Sequence, residues 1–270
     1  LNLRLPDLAM IAARFVPALD LEEEPAVAKR LMELAAAVRA EDAPASGAAP
    51  YKGLSYFDEG DADLYFGRAA LVEKILYRLL GQEGGVPRGS DLWPFLAIVG
   101  ASGSGKSSVA RAGLVHALRW KTPSANWPIH IFTPTAHPLE ALALSLTRES
   151  SSTTITATLM DDLGRDPRTL HLWARRLINR ASKAPASTHR LVLVVDQFEE
   201  LFTLCQAEVE RTAFVDNLLT AAFEPDGPLR LVITLRADFY AHCAPFAALR
   251  TALAEHQEYI GPMNADELRQ

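Results

Sequence analysis

The run Phe95-Leu-Ala-Ile-Val-Gly-Ala-Ser-Gly-Ser-Gly-Lys-Ser107 decides how this chain is read. Its apolar opening, Phe95 to Val99, predicts a buried strand, and the segment from Ser107 to Trp120 predicts a helix. Between them, Gly100 to Ser107 spells G-x-x-x-x-G-K-S, a phosphate-binding loop in the strand–loop–helix setting such a loop needs. The spelling follows from chemistry. A triphosphate is wrapped by backbone N–H groups, so the loop must pass close to it with little side chain in the way. Gly100, Gly103 and Gly105 allow that approach. The helix beyond points its unpaired N–H groups and positive dipole end at the same anion. Lys106 is expected to reach the β- and γ-phosphates, and the Ser107 hydroxyl to ligate Mg²⁺. With Ser102, Ser104 and Ser108, these residues form the expected phosphate-binding set. The stretch predicts a nucleotide-binding protein.

Composition sets the outer bounds. At 270 residues, 49% hydrophobic and 22% charged, the chain can bury a substantial core. Its 27 basic and 33 acidic residues give a net charge of −6. That balance argues against broad nucleic-acid binding, which rests on phosphate neutralisation by Lys and Arg. Cys205 and Cys243 lack C-x-x-C spacing and read as reduced structural thiols, the usage of a cytoplasmic protein. No apolar run reaches the ~18 residues of a membrane span, and no signal peptide is visible. The chain opens on Leu1 and closes on a charged, helix-like stretch, so a piece of a longer protein is expected.

Outward from the loop, residues 1–39 carry apolar positions at helical spacing in two sets: Leu8, Ile11, Phe15 and Leu19, then Val27, Leu31, Leu34 and Val38. They predict a helical appendage or the tail of a preceding domain. Residues 40–50, rich in Ala, Pro and Gly, read as a linker, and 51–270 as the main domain. Asp58 to Asp63 reads as a solvated acidic turn, since it lacks the ligand spacing of a calcium loop. A helix is expected over 69–80 and a Gly/Pro-rich loop over 81–90. After the loop helix come a strand at 127–133, a helix at 138–148, a polar and weakly patterned stretch at 149–166, and a helix at 167–182. Arg190 to Asp196 is an aliphatic strand without alternation, as a central parallel strand requires. A helix-forming region follows to Phe223, then a second buried strand, Leu229 to Arg236, a helical stretch and a short last strand near 258–262. Alternating strands and helices predict an α/β fold with a parallel sheet.

Hydrolysis needs more than the loop. Asp196, at the carboxyl end of its strand, is the expected Walker B acid that orients Mg²⁺. Many P-loop ATPases place a Glu directly after that Asp, whereas here the position holds Gln197, a poor proton acceptor. Glu199 and Glu200 are the candidate bases, with Glu199 preferred. Arg236, closing the next strand, is a candidate γ-phosphate sensor, unless it simply pairs with Asp238.

Phe66-Gly-Arg68 ahead of a helix, Gly100 to Ser107, Val-Val-Asp196-Gln-Phe-Glu-Glu-Leu-Phe202 and Thr-Leu-Arg236-Ala-Asp-Phe-Tyr240 together resemble the STAND class of signalling ATPases. More narrowly, they resemble the bacterial novel STAND NTPase domain often joined to WD repeats. The opening Tyr51-Lys-Gly-Leu-Ser-Tyr-Phe-Asp is similar to the start of that domain. The resemblance covers residues 50–270. It implies a P-loop NTPase with a five-stranded parallel sheet in the order 5-1-4-3-2 and helices on both faces; the N-terminal helical segment lies outside it and rests on periodicity alone. It implies ATP/ADP as ligand, Mg²⁺ as cofactor, and Phe66, Gly67, Arg68 and Pro262 near adenine and ribose. It also implies a nucleotide-dependent homo-oligomer, with N-terminal effector and C-terminal winged-helix and sensor regions outside this chain, in bacterial signalling or defence. Slow hydrolysis is our expectation from Gln197.

Other classes fit less well. An ABC transporter ATPase needs an L-S-G-G-Q-type signature before the Asp196 strand, and a GTPase needs N-K-x-D; neither is present. A small-molecule P-loop kinase conflicts with the Asp-Gln-Phe-Glu-Glu run. A non-catalytic nucleotide-binding scaffold remains the main alternative to a regulatory ATPase.

Overall fold

The computed structural model describes residues 25–41, 55–80, 93–120, 127–149, 152–181 and 190–269. The first expected helix, residues 42–50 of the linker and the 81–90 loop lie outside these. The second expected helix is α1, Pro25–Glu41, which runs two residues into the stretch read as linker. Its Val27 and Leu34 are exposed.

Among the described residues, five strands form one parallel sheet: β1 Phe95–Gly100, β2 Ile129–Phe132, β3 Leu191–Val195, β4 Leu229–Arg236 and β5 Gln257–Ile260. Their spatial order is β2-β3-β4-β1-β5, the order the resemblance implied. Strand β4 therefore separates β1 from β3, and Gly100 stands opposite Arg236 on one side and Ile260 on the other. This register brings the carboxyl ends of β1, β3 and β4 to one edge, where ligands bind in open α/β sheets.

All six residues of β1 and all five of β3 are buried, which explains their aliphatic spelling. Alternate residues serve two cores. Phe95, Ala97 and Val99 face a thick layer of helices, and Leu96 and Ile98 face a thinner one. The thick layer holds α4 Pro138–Leu146, α5 Thr153–Arg165, α6 Thr169–Ala181, α7 Glu200–Thr203, α8 Glu208–Phe223 and α9 Ala247–Glu255. The thin layer holds α2, Ala69–Leu80, and the loop helix α3. Helix α3 runs in three consecutive pieces: Lys106–Ser108, a π-helical Val109–Val115 and His116–Trp120. A Cβ on Gly113 would meet Val72 Cγ2 at 2.6 Å, so the two helices pack at glycine distance.

One reading from sequence is corrected. Residues 149–166, taken as weakly patterned, contain α5. Its helix-period signal is short, Ile155, Leu159 and Leu163, of which the last two are buried and the first exposed, on a segment opened by Thr153-Thr-Ile-Thr156. These β-branched residues have modest helix propensity, and packing against α4 and α8 overrides it. The helix-forming region on to Phe223 is two helices, separated by residues 204–207. The acidic turn is a 3₁₀ turn, Glu59–Leu64, closed by a reciprocal cap. Asp58 accepts from the Glu59 amide at 3.0 Å, and Asp61 accepts from the Asp58 amide at 2.9 Å. Cys205 and Cys243 are buried free thiols.

Candidate functional site

The loop between β1 and α3 is shaped by its neighbours on one side and open on the other. A Cβ on Gly100 would lie 2.6 Å from the Ile260 carbonyl oxygen, so the close approach of β5 excludes any other residue there. Gly103 and Gly105 adopt φ of +75° and +87°, and a Cβ on either would meet nothing within 4 Å, which leaves a bare backbone concavity. Gly105 caps α3. Lys106 is 8% exposed and donates through Nζ to the carbonyls of Gly100, at 3.1 Å, and Ala101, at 2.7 Å. Burial pushes its ammonium below the usual lysine range, with the Glu199 carboxylate opposing. Ser104 Oγ is buried with no hydrogen-bond partner. Ser102 is exposed, and the Ser108 hydroxyl is committed elsewhere, accepting the Phe57 amide at 3.0 Å.

Asp196 is fully buried at the end of β3. Its Oδ1 accepts from Ser107 Oγ at 2.9 Å, Thr234 Oγ1 at 2.7 Å and the Gln197 amide at 3.1 Å. Its Oδ2 accepts from Arg111 Nε at 2.8 Å. Gln197 holds φ of +56°, a left-handed conformation uncommon for a non-glycine residue. Its amide also donates to Thr234 Oγ1 at 2.8 Å, and the pair of bonds holds the strand-to-turn reversal.

Glu199 and Glu200 start the turn into α7 and are half-buried. Burial pushes the Glu199 carboxyl above the usual carboxylate range. Hydrogen bonds from backbone amides and the charges of Lys106 and Arg236 oppose that shift. Its Oε2 accepts the Arg236 amide at 3.3 Å, which turns it toward the β4 end beside the loop. Burial also raises the Glu200 carboxyl, reinforced by Glu199 and Asp196, while a backbone hydrogen bond at Thr135 opposes it. The two carboxylates thus have different surroundings: Glu199 neighbours Lys106, and Glu200 neighbours the loop after β2. Arg236 has its guanidinium on Asp238, at 3.1 Å and 2.6 Å. A phosphate contact would require it to leave that exposed pair.

The third group gathers at the free edge of β5. Phe66 is 60% exposed, whereas Arg68 is 7% exposed. Arg68 donates to both Glu267 oxygens, at 3.1 Å and 3.3 Å, and to the Gly261 carbonyl at 2.7 Å. It builds the junction with the segment around Pro262 rather than offering a free charge. Gly67, at φ +85°, has the Glu267 carbonyl oxygen 2.3 Å from where a Cβ would stand.

The residues present fit a magnesium nucleotide. Open glycines, a helix N-terminus, a buried lysine and an orphaned Ser104 hydroxyl suit a triphosphate. Ser107 and Asp196 offer hard oxygen donors. Among the described residues there is no group of three or more His, Cys, Asp or Glu that could hold a metal ion.

Sheet order, loop and the Ser107–Asp196 pair define a P-loop NTPase fold. Residues 50–270 match the family model Novel STAND NTPase 1, and the chain belongs to that family. Solved structures similar to it include the Aeropyrum pernix ORC2 protein, described as ADPNP–ADP complexes. The similarity is 15% identity and a TM-score of 0.43, covering 74% of this chain and 47% of that one. The chain thus spans about half the length of that protein. No curated protein matches it.

Arg111 is the residue that sequence reasoning missed. A lone arginine in a helix reads as a solvated charge, yet Arg111 stands four residues after Ser107, the spacing that puts both on one helix face, and both reach the same aspartate, 85 positions from Arg111.

Proposed function

We propose that this chain is an ATP/ADP-binding switch domain that hydrolyses ATP slowly and controls assembly or signalling of a larger multidomain protein. The observation that carries the reading is the meeting of an open glycine loop with a Ser107–Asp196 pair at one edge of the sheet. Lys106 and the amides of residues 102–108 would bind and orient the phosphates, and Ser107 and Asp196 would hold Mg²⁺. When bound, Mg²⁺ would supply charge neutralisation at the phosphate oxygens.

Glu199 is the favoured general base. It neighbours Lys106 and Arg236, and burial raises its proton affinity toward the range a base needs near neutral pH. Gln197, strained and neutral beside Asp196, can orient water without accepting its proton, which supports slow turnover. Phe66, Gly67 and Pro262 would border the base, with Arg68 fixing that border through Glu267. Oligomer formation, effector and sensor partners, and a part in bacterial defence belong to the same proposal and rest on the family.

The test is the identity of nucleotide released from the purified chain, with phosphate release from ATP followed over hours, beside Lys106→Ala and Asp196→Ala. We expect adenine nucleotide, affinity reduced at least about 100-fold in Lys106→Ala, and hydrolysis lost in Asp196→Ala. Tight binding with no phosphate release would instead favour a non-catalytic scaffold. No binding in the wild-type chain would refute the reading.

A further inference from the structure

Arg111 has no assigned part in the site, yet it holds one of the two oxygens of its central acid. A carboxylate offers about four lone-pair positions, two per oxygen. Oδ1 of Asp196 already carries three donors, from Ser107, Thr234 and Gln197. Oδ2 is the acceptor with room, and Arg111 Nε sits on it at 2.8 Å. A divalent ion between Ser107 and Asp196, bound directly or through water, needs that oxygen.

The guanidinium has a second place to go. Its Nη1 lies 3.6 Å from Asp58 Oδ1, and it stacks on the Tyr56 ring at 4.6 Å from the centroid. Asp196 is fully buried and Asp58 is more than half exposed, so Arg111 bridges an inner and an outer carboxylate. Lys106 cannot stand in for it, since its Nζ is on the Gly100 and Ala101 carbonyls. The outer partners belong to a strap that lies along α3. In it, the Phe57 amide bonds Ser108 Oγ at 3.0 Å, and Glu59 pairs with Arg119 at 2.8 Å.

We propose that Arg111 is a resident cation that neutralises Asp196 in the metal-free site and passes to Asp58 and Tyr56 when a divalent ion takes Oδ2. The hand-over would report the metal state of the site to the strap at residues 56–59, where the chain enters the domain. This deepens the nucleotide reading and rests on Ser107 and Asp196 being the metal position. A buried charge left alone is strongly unfavourable, which is why a neutralising partner is needed whenever the ion is absent.

The experiment uses the full chain. ATP binding is measured by calorimetry across a Mg²⁺ titration, and the melting temperature is read with and without Mg²⁺–ATP. Arg111→Gln should lower the Mg²⁺ concentration for half-maximal affinity about ten-fold, the value of a charge-assisted hydrogen bond. It should also enlarge the melting-temperature rise on adding Mg²⁺–ATP, because its metal-free form keeps a bare buried carboxylate. Asp58→Asn removes the outer acceptor and should raise the half-maximal Mg²⁺ about three-fold. That effect should vanish in the Arg111→Gln background. An unchanged or raised Mg²⁺ requirement in Arg111→Gln overturns the proposal and leaves Arg111 a structural ion pair. Should Arg111→Gln not fold, Asp58→Asn decides alone, and an unchanged requirement overturns it. Wild-type ATP binding that is absent, or indifferent to Mg²⁺, overturns instead the nucleotide or metal reading beneath it.

Discussion

Gly67 and Gly103 hold nearly the same backbone angle, φ of +85° and +75°, for opposite reasons. Around Gly67 the space is filled: the Glu267 carbonyl oxygen stands 2.3 Å from a Cβ position, and Arg68 is buried on Glu267 and Gly261. Around Gly103 nothing lies within 4 Å. The first glycine is there for the fold, closing two segments some two hundred residues apart. The second leaves backbone bare, as a phosphate cradle requires. The proposed adenine end is therefore assembled by tertiary contact, and the proposed phosphate loop by one contiguous stretch.

That contrast can be broken or sharpened by substitution. The largest effect should come at the phosphate end: Glu199→Gln should lower the hydrolysis rate roughly 10²–10⁴-fold with ATP affinity nearly unchanged. Glu200→Gln should cost less than about ten-fold, and equal losses at both positions would remove the preference for Glu199. The pH profile carries the same assignment. Glu199 must lose its proton to act, and its folded pKa is raised, so the rate should fall on the acid side starting at a higher pH than an exposed glutamate would give. Steady-state rates between pH 4 and 8 check this.

At the base end, Gly67→Ala should cost about 3 kcal/mol of unfolding free energy, from the backbone clash together with the positive φ. Denaturant melts measure it, and a loss under about 1 kcal/mol would mean that the two segments separate easily. Arg68→Ala should cost about 2 kcal/mol. That is below the value for a wholly buried pair, because Glu267 retains 23% exposure. The smallest stability change should be that of Gly103→Ala, about 1 kcal/mol, the cost of the left-handed angle alone. Its ATP affinity should fall all the same, since a methyl group would enter the cradle. A large stability loss there would erase the distinction between the two glycines.

Legibility followed the same division. Features written in contiguous sequence were read well: the buried spelling of β1 and β3, the loop between strand and helix, and the helix of residues 69–80. Helix α5 is faint in the sequence because Ile155, Leu159 and Leu163 are set among threonines and aspartates, and its formation depends on α4 and α8 beside it. The resemblance implies that Arg68 lies near adenine and ribose, and what only the fold shows is that its guanidinium is engaged with Glu267 and Gly261. Arg236 was expected as a phosphate sensor, with Asp238 as the competing partner, and that pair is the one formed.

By itself, then, the sequence determined the P-loop class and the strand-by-strand content of the sheet, because local periodicity and a glycine-spelled loop need no distant partner to be recognised. Tertiary structure decided which charges meet. The placing of β4 between β1 and β3 brings Thr234 to Asp196, and the seating of α3 on the sheet brings Arg111 to the same carboxylate. Side-chain pairing across 38 and 85 residues depends on register and helix phase, quantities that only the packed chain sets.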